Sequence, residues 1–190
     1  AGVVCTIMVA DCLPVLLAHT SGAVVGAAHA GWRGLAGQGG VGVLESAMRA
    51  LFERFQALAL TNKAQAAIEN VANNTENFEA VARGTLAWLG PCIGPQAFEV
   101  GPEVREAFCA AGPQYSACFV PSPTQQGKWL ADLAGLARLR LQAMGVTRIY
   151  GNDSSAAWCT VTQSARFFSH RRDTALLGGS GRLAACIWRG

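Results

Sequence analysis

Short apolar runs bounded by turn residues open the chain. Residues 3–9, 12–18 and 23–29 have the length and Val/Ile/Leu content of strands, and Thr20-Ser21-Gly22 between the last two reads as a hairpin turn. Twenty-one residues between Asp11 and Arg33 carry no formal charge, enough to span a membrane as a helix. Pro14, His19, the turn and His29 interrupt that run, so it reads as two buried strands. A Gly-rich stretch, Gly31 to Gly42, leads into apolar residues at 44, 47, 48, 51, 52, 55 and 58, a helical stripe that predicts a helix over 43–60. Residues 61–83 are rich in Ala, Asn, Gln and Glu and read as an insertion or a mobile lid, helical up to about 71, with Asn73-Asn74 as a breaker.

Leu86 to Leu89 reads as a strand, followed by Gly90-Pro91-Cys92-Ile93-Gly94-Pro95, whose glycines and prolines fix an irregular path. A short helix is expected within 99–111, with Pro102 in its first turn. A second spans 132–144, with Gly145 as its cap. Residues 146–150, 166–169 and 183–188 are strand candidates. Strands and helices alternate irregularly and no internal repeat occurs, which favours a single mixed α/β domain over 1–190.

Composition narrows the function classes. The chain is 51% hydrophobic and 14% charged, too apolar for disorder. A net charge of +3, with no Lys/Arg run beyond Arg171-Arg172, gives nucleic-acid binding no support. The seven cysteines form no Cys-x-x-Cys pair, so reduced thiols in a cytoplasmic protein are expected. A chain that starts inside a strand and without methionine predicts that an N-terminal segment is missing.

The sharpest chemical signal is the spacing of Cys12 and His29. With a two-residue loop at Thr20-Ser21, opposed residues sum to 41 and Cys12 faces His29 across the hairpin, Cβ atoms ~4.5–5.5 Å apart. A loop at Ser21-Gly22 would instead pair His29 with Pro14. Either a shared metal ion, a Cys–His nucleophile pair without metal, or a buried thiol beside a core histidine fits that proximity. Asp11 points to the opposite face in an extended strand; at a bulge it would orient His29, and a purely structural hydrogen-bonding role is the alternative.

The ordered set Ala-Asp-Cys-Leu-Pro-Val-Leu-Leu (10–17), His-Ala-Gly-Trp-Arg-Gly (29–34), Gly-Pro-Cys-Ile-Gly-Pro (90–95), Phe-Phe-Ser-His-Arg-Arg-Asp (167–173) and Gly-Arg-Leu-Ala (181–184) resembles the YfiH-like family. That family is also called the laccase-domain or multicopper polyphenol oxidase family, and is described as purine nucleoside phosphorylases and adenosine deaminases. The resemblance covers nearly the whole chain. It implies a four-layer α/β/β/α domain with mixed sheets, and a zinc ion held by two histidines and a cysteine. Cys12 and His29 match two of those metal ligands; the remaining histidine belongs to a motif upstream of this chain.

The implied reactions are phosphorolysis of adenosine, inosine or methylthioadenosine to base and ribose 1-phosphate, and deamination of adenosine by water activated on the metal. Phosphate would need cations. Arg33, Arg171, Arg172 and Arg182 are the candidates, with Arg33 ranked first and placed with Cys12, His29 and Asp11 in the catalytic set. Adjacent Arg171 and Arg172 would face opposite ways in a strand, so one of them is expected to be structural. His170 is not expected to be a ligand, and His19 is expected to be exposed near the turn. Cys92 reads as packing or as lining a wall rather than as catalytic, and Trp32 as a base-stacking surface or a core anchor. The chain departs from the family pattern at His19, where an acid is expected, at the longer glycine run 37–42, at 61–83, and at 174–180 before Gly181-Arg182. Copper-dependent polyphenol oxidation, implied by the older family name, conflicts with only three histidines in the chain. A non-enzymatic cell-wall regulatory module is a further alternative. The expected partners are a purine nucleoside and phosphate, with neither nucleic acid nor membrane, and the expected state is a monomer or weak homo-oligomer.

Overall fold

The computed structural model describes residues 2–61 and 74–190. In chain order its elements are β1 (Val4–Val9), β2 (Leu13–His19), β3 (Val25–Ala30), α1 (Trp32–Ala36), α2 (Val43–Thr61), α3 (Asn74–Gly84), β4 (Thr85–Leu89), β5 (Glu99–Val100), α4 (Pro102–Cys109), β6 (Phe119–Pro121), β7 (Trp129–Ala131), α5 (Leu133–Ala143), β8 (Arg148–Gly151), α6 (His170–Leu177) and β9 (Leu183–Trp188). The mixed α/β class is the one expected. A four-stranded sheet runs β3-β2-β4-β8, antiparallel except for the parallel β4–β8 pair. β1 pairs antiparallel with β9, and β5-β7-β6 form a small antiparallel sheet.

The two faces of the four-stranded sheet differ in kind because strand side chains alternate. Leu13, Val15 and Leu17 share one face with Ala28 and Ala30 of β3 and with Ala87 and Leu89 of β4, and all are buried. Leu44, Met48, Leu51 and Phe52 from the stripe of α2 join them in the core. The opposite face carries Pro14, Leu16, Trp88 and His29, and part of it lies against β9.

Caps fix the helix ends as their residues dictate. Asp132 accepts from the Gly135 amide at 2.8 Å to start α5, and Gly145, at φ +90°, follows its end. The glycine run after α1 is held by Arg140, which is 2% exposed and donates to Glu45 (2.8 Å) and to the Gly40 carbonyl (2.8 Å). Glu45 in turn accepts from the Gly42 amide at 2.8 Å. Gly37, at φ +68°, has no room for a Cβ beside the Val41 carbonyl, so the turn needs glycine there.

Four expectations are corrected. The hairpin is not in the 41 register: Pro14 pairs with His29 and Leu13 with Ala30, because His19 donates to the Val24 carbonyl (3.1 Å) and closes a four-residue loop, 20–23, with Gly22 at φ +72°. Residues 166–169 are not a strand; they lead into α6, so Arg171 and Arg172 lie on a helix rather than alternating on a strand. His19 is half-buried rather than exposed, its ring 4.5 Å from that of Phe55. Residues 74–84 are not a lid: Val81 and Ala82 are buried in the core. The rest of the suspected insertion, 62–73, lies outside the described residues.

Candidate active site

The site is built on the corner between β1 and β2. Asp11 has φ +81°, a conformation rare outside glycine and best tolerated by Asn and Asp. Its buried carboxylate accepts from the Thr160 hydroxyl (2.6 Å) and from the Arg171 amide in the first turn of α6 (2.6 Å), and its carbonyl accepts from the Ile93 amide (2.9 Å). Asp11 therefore ties together the Gly-Pro loop, the 160 segment and the α6 motif, which are remote in sequence. None of these bonds involves His29, so the structural alternative describes its hydrogen bonding. Thr160 was not singled out from the sequence, where a lone threonine carries no signal.

Because the corner turns Asp11 inward, Cys12 faces the other way, toward the face that carries His29. Gly31 lies across from Cys12: a Cβ on it would stand 2.9 Å from the Cys12 Sγ. His29 is exposed, and its ladder partner Pro14 is two positions from Cys12. The pair are therefore diagonal neighbours, about 7–8 Å apart on the backbone, rather than directly opposed. Metal–sulfur and metal–nitrogen bonds of about 2.3 and 2.0 Å, added to the reach of the two side chains, span that separation. One thiolate and one imidazole on a shared face suit zinc as donor types. Among the described residues no group of three or more His, Cys, Asp or Glu stands together as a ligand cluster. Burial pushes the Cys12 thiol up, as does the neighbouring Asp11 carboxylate, while Arg182 opposes both.

The four arginines separate by what already holds them. All five N–H donors of Arg172 are used: on both Asp173 oxygens (2.6 and 3.1 Å), on the Thr160 and Val161 carbonyls (2.7 and 3.0 Å) and on the Phe167 carbonyl (2.9 Å). Arg171 is exposed and rests on the Glu99 carbonyl, 3.3 Å from each terminal nitrogen. Arg182 is exposed, donates to the Ser180 and Gly181 carbonyls and acts electrostatically on Cys12. Arg33 is exposed and lies 4.4 Å over the half-buried Trp32 ring, which packs on the core.

The remaining expectations fall outside the pair. His170 is exposed, its Nδ1 3.0 Å from the Thr174 hydroxyl. Cys92 is buried, accepts from the Asn152 amide (3.3 Å) and is pushed far up by desolvation. Asn152, also buried, donates to the Gly90 carbonyl at 3.0 Å and so holds the Gly-Pro loop. All seven cysteines are free, and among the described residues no helix is long and apolar enough to cross a membrane.

Residues 1–68 and 59–190 match the family described as multi-copper polyphenol oxidoreductase laccase. The chain belongs to this family. It is 45% identical over 188 residues to purine nucleoside phosphorylase YfiH of Escherichia coli K12, covering 98% of this chain and 60% of that protein. It is 43% identical over 187 residues to purine nucleoside phosphorylase PA4543 of Pseudomonas aeruginosa, covering 98% and 61%. The crystal structure of Neisseria meningitidis protein NMB0706 superposes with a TM-score of 0.72 at 39% identity, over 98% of this chain and 60% of that one. YlmD from Geobacillus stearothermophilus gives 0.63 at 29% identity, over 100% and 58%. The chain thus spans about three-fifths of the length of the curated relatives it matches.

Proposed function

We propose that this family member contributes to a zinc-dependent, cytoplasmic purine nucleoside phosphorylase that also deaminates adenosine. The observation that carries the reading is the Cys12–His29 pair on one sheet face, with Gly31 leaving space at the thiol. The names of the relatives support the reaction class. Cys12 and His29 would hold the metal, which when bound supplies a Lewis acid. In phosphorolysis a phosphate oxygen forms the new bond to C1′ of the ribose. The glycosidic C–N bond breaks, and the base leaves with its electron pair and takes up a proton.

Arg33, Arg171 and Arg182, exposed and held only by carbonyls or by a ring face, are the cations free to meet phosphate. Arg172 instead holds the loop in place.

The test is phosphate-dependent release of hypoxanthine from inosine, followed by chromatography, with metal content measured alongside. Release should require phosphate and should vanish together with the zinc in Cys12→Ala and His29→Ala that keep the native circular dichroism. Normal turnover in Cys12→Ala sinks the zinc reading. Stoichiometric copper with dye oxidation would favour the polyphenol oxidase reading that the family name carries.

A further inference from the structure

A slot of about 340 Å³ opens on the face that carries His29, and its walls have no role in the chemistry above. It is lined by Pro14, Leu16 and Trp88 on its floor, by Pro91, and on its far wall by Phe167 with Leu183 to Cys186 of β9. The floor is continuous with the candidate metal site, since Pro14 is the ladder partner of His29 and lies two residues from Cys12. The far wall leads to the same place from the other side: Leu183 is the ladder partner of Val9, three residues before Cys12. A molecule seated in the slot would therefore present one end to Cys12 and His29.

The walls state what that molecule is. Among the lining residues none is charged, so phosphate and carboxylate gain nothing by entering. The Cys186 thiol already has the Thr6 hydroxyl at 3.4 Å. Two aromatic rings and two prolines favour a flat, neutral ring. The volume falls at the small end of ligand pockets.

The floor is also set in advance. A Cβ on Gly90 would stand 2.6 Å from the Pro14 ring and 2.8 Å from the Trp88 indole. The glycine thus lets those two surfaces meet, and Trp158 packs edge-on to Trp88 at 6.2 Å.

We propose that in phosphorolysis this slot is the nucleobase subsite, taking the purine ring of the substrate edge-first while its sugar stays at the Cys12–His29 end; deamination requires the reverse orientation, with C6 of the ring at that end. The proposal rests on the nucleoside reading of the site. Substrate choice would then be set by Leu16, Trp88, Phe167 and Ala184, with no contribution from the metal.

The experiment uses inosine and phosphate as substrates and free adenine as a binding probe read by tryptophan fluorescence. Ala184 is exposed, so Ala184→Phe narrows the slot from outside the core, and Phe167→Ala is a second variant that removes one wall. Both should raise KM for inosine roughly tenfold or more, the size expected for losing a stacked ring, with KM for phosphate and metal content unchanged. Both should also weaken adenine binding, and Trp88→Phe should remove part of the fluorescence response. Turnover in the native protein with unchanged inosine KM in both variants overturns the slot and leaves the phosphorylase reading standing. Adenine binding that the variants abolish, in a protein without phosphorolysis, supports the slot and sinks that reading. Absence of both binding and turnover overturns the two together. Uptake of an apolar dye without any adenine binding overturns the slot.

Discussion

Arg172 and Arg182 are ten residues apart in one motif region, yet the structure gives them opposite duties. A guanidinium with five donors on five acceptors has nothing left for a ligand, and a carbonyl cage of this kind matches its planar fork rather than a point charge. Arg172→Lys keeps the charge but strands several of those acceptors. It should destabilise the fold by about 2–4 kcal/mol, in the range of a broken charged hydrogen-bond network, and lower Tm by several degrees in a calorimeter. Arg182→Ala, on an exposed side chain, should leave Tm within about a degree, since surface changes mostly stay within ±0.5 kcal/mol, while raising KM for phosphate. If Arg172→Lys melts like the native protein and shifts the phosphate KM instead, the two assignments are exchanged.

The helix α6 shows how such duties are concealed in sequence. Ser169 caps it by accepting from the Arg172 amide at 3.1 Å, and Asp173 reaches back to the Ser169 amide at 2.9 Å. Hydrogen bonds from Arg172 hold the Asp173 carboxyl below its ordinary value, with the Ser169 amide adding to the effect. A carboxylate with a depressed folded pKa stabilises the fold above its unfolded pKa of about 3.9. That contribution is lost as pH falls through the lower folded value. Acid melting followed by circular dichroism should therefore show a stability slope below pH ~4 that is shallower in Asp173→Asn; an unchanged slope would place the acid sensitivity elsewhere.

The same helix marks the limit of what periodicity reveals. The helices α2 and α5 were legible because their apolar residues repeat at 3.6 positions, and the strand β9 because it is a short continuous apolar run. The residues His170 to Thr174 have no apolar period at all, and α6 forms through its caps, with Asp11 supplying one of them from 160 residues away. In the same way, motif order found Cys12 and His29. Their diagonal offset depends on the loop being centred on Ser21-Gly22 rather than on Thr20-Ser21, a choice that strand patterns leave open. The slot walls Trp88 and Phe167 read as ordinary aromatics because only the fold sets them together.

At the scale of the molecule, stability is graded, and the grading runs through the site. Strand β2 is paired on both edges, by β3 and by β4, and its side chains Leu13, Val15 and Leu17 are fully buried. The β1–β9 ribbon has only its one shared ladder among the described residues, and Val4, Met8 and Trp188 stand 54%, 60% and 61% exposed on one face. A two-stranded ribbon is marginal by itself, and the half-buried Cys5, Ile7, Ala185 and Ile187 supply only a partial apolar anchor. Local opening should therefore release β1 and β9 well before the central sheet. Amide exchange followed by NMR should find the β1–β9 amides at least roughly tenfold less protected than those of β2 and β4. Equal protection would mean that ribbon and sheet open as one unit. The gradient matters for binding because Leu183 to Cys186 form one wall of the slot. A base held there contacts only the closed ribbon, so by linkage it must stabilise that closed form. Saturating adenine should accordingly slow exchange in β9 more than in β8, whose Arg148 to Gly151 are not part of that wall.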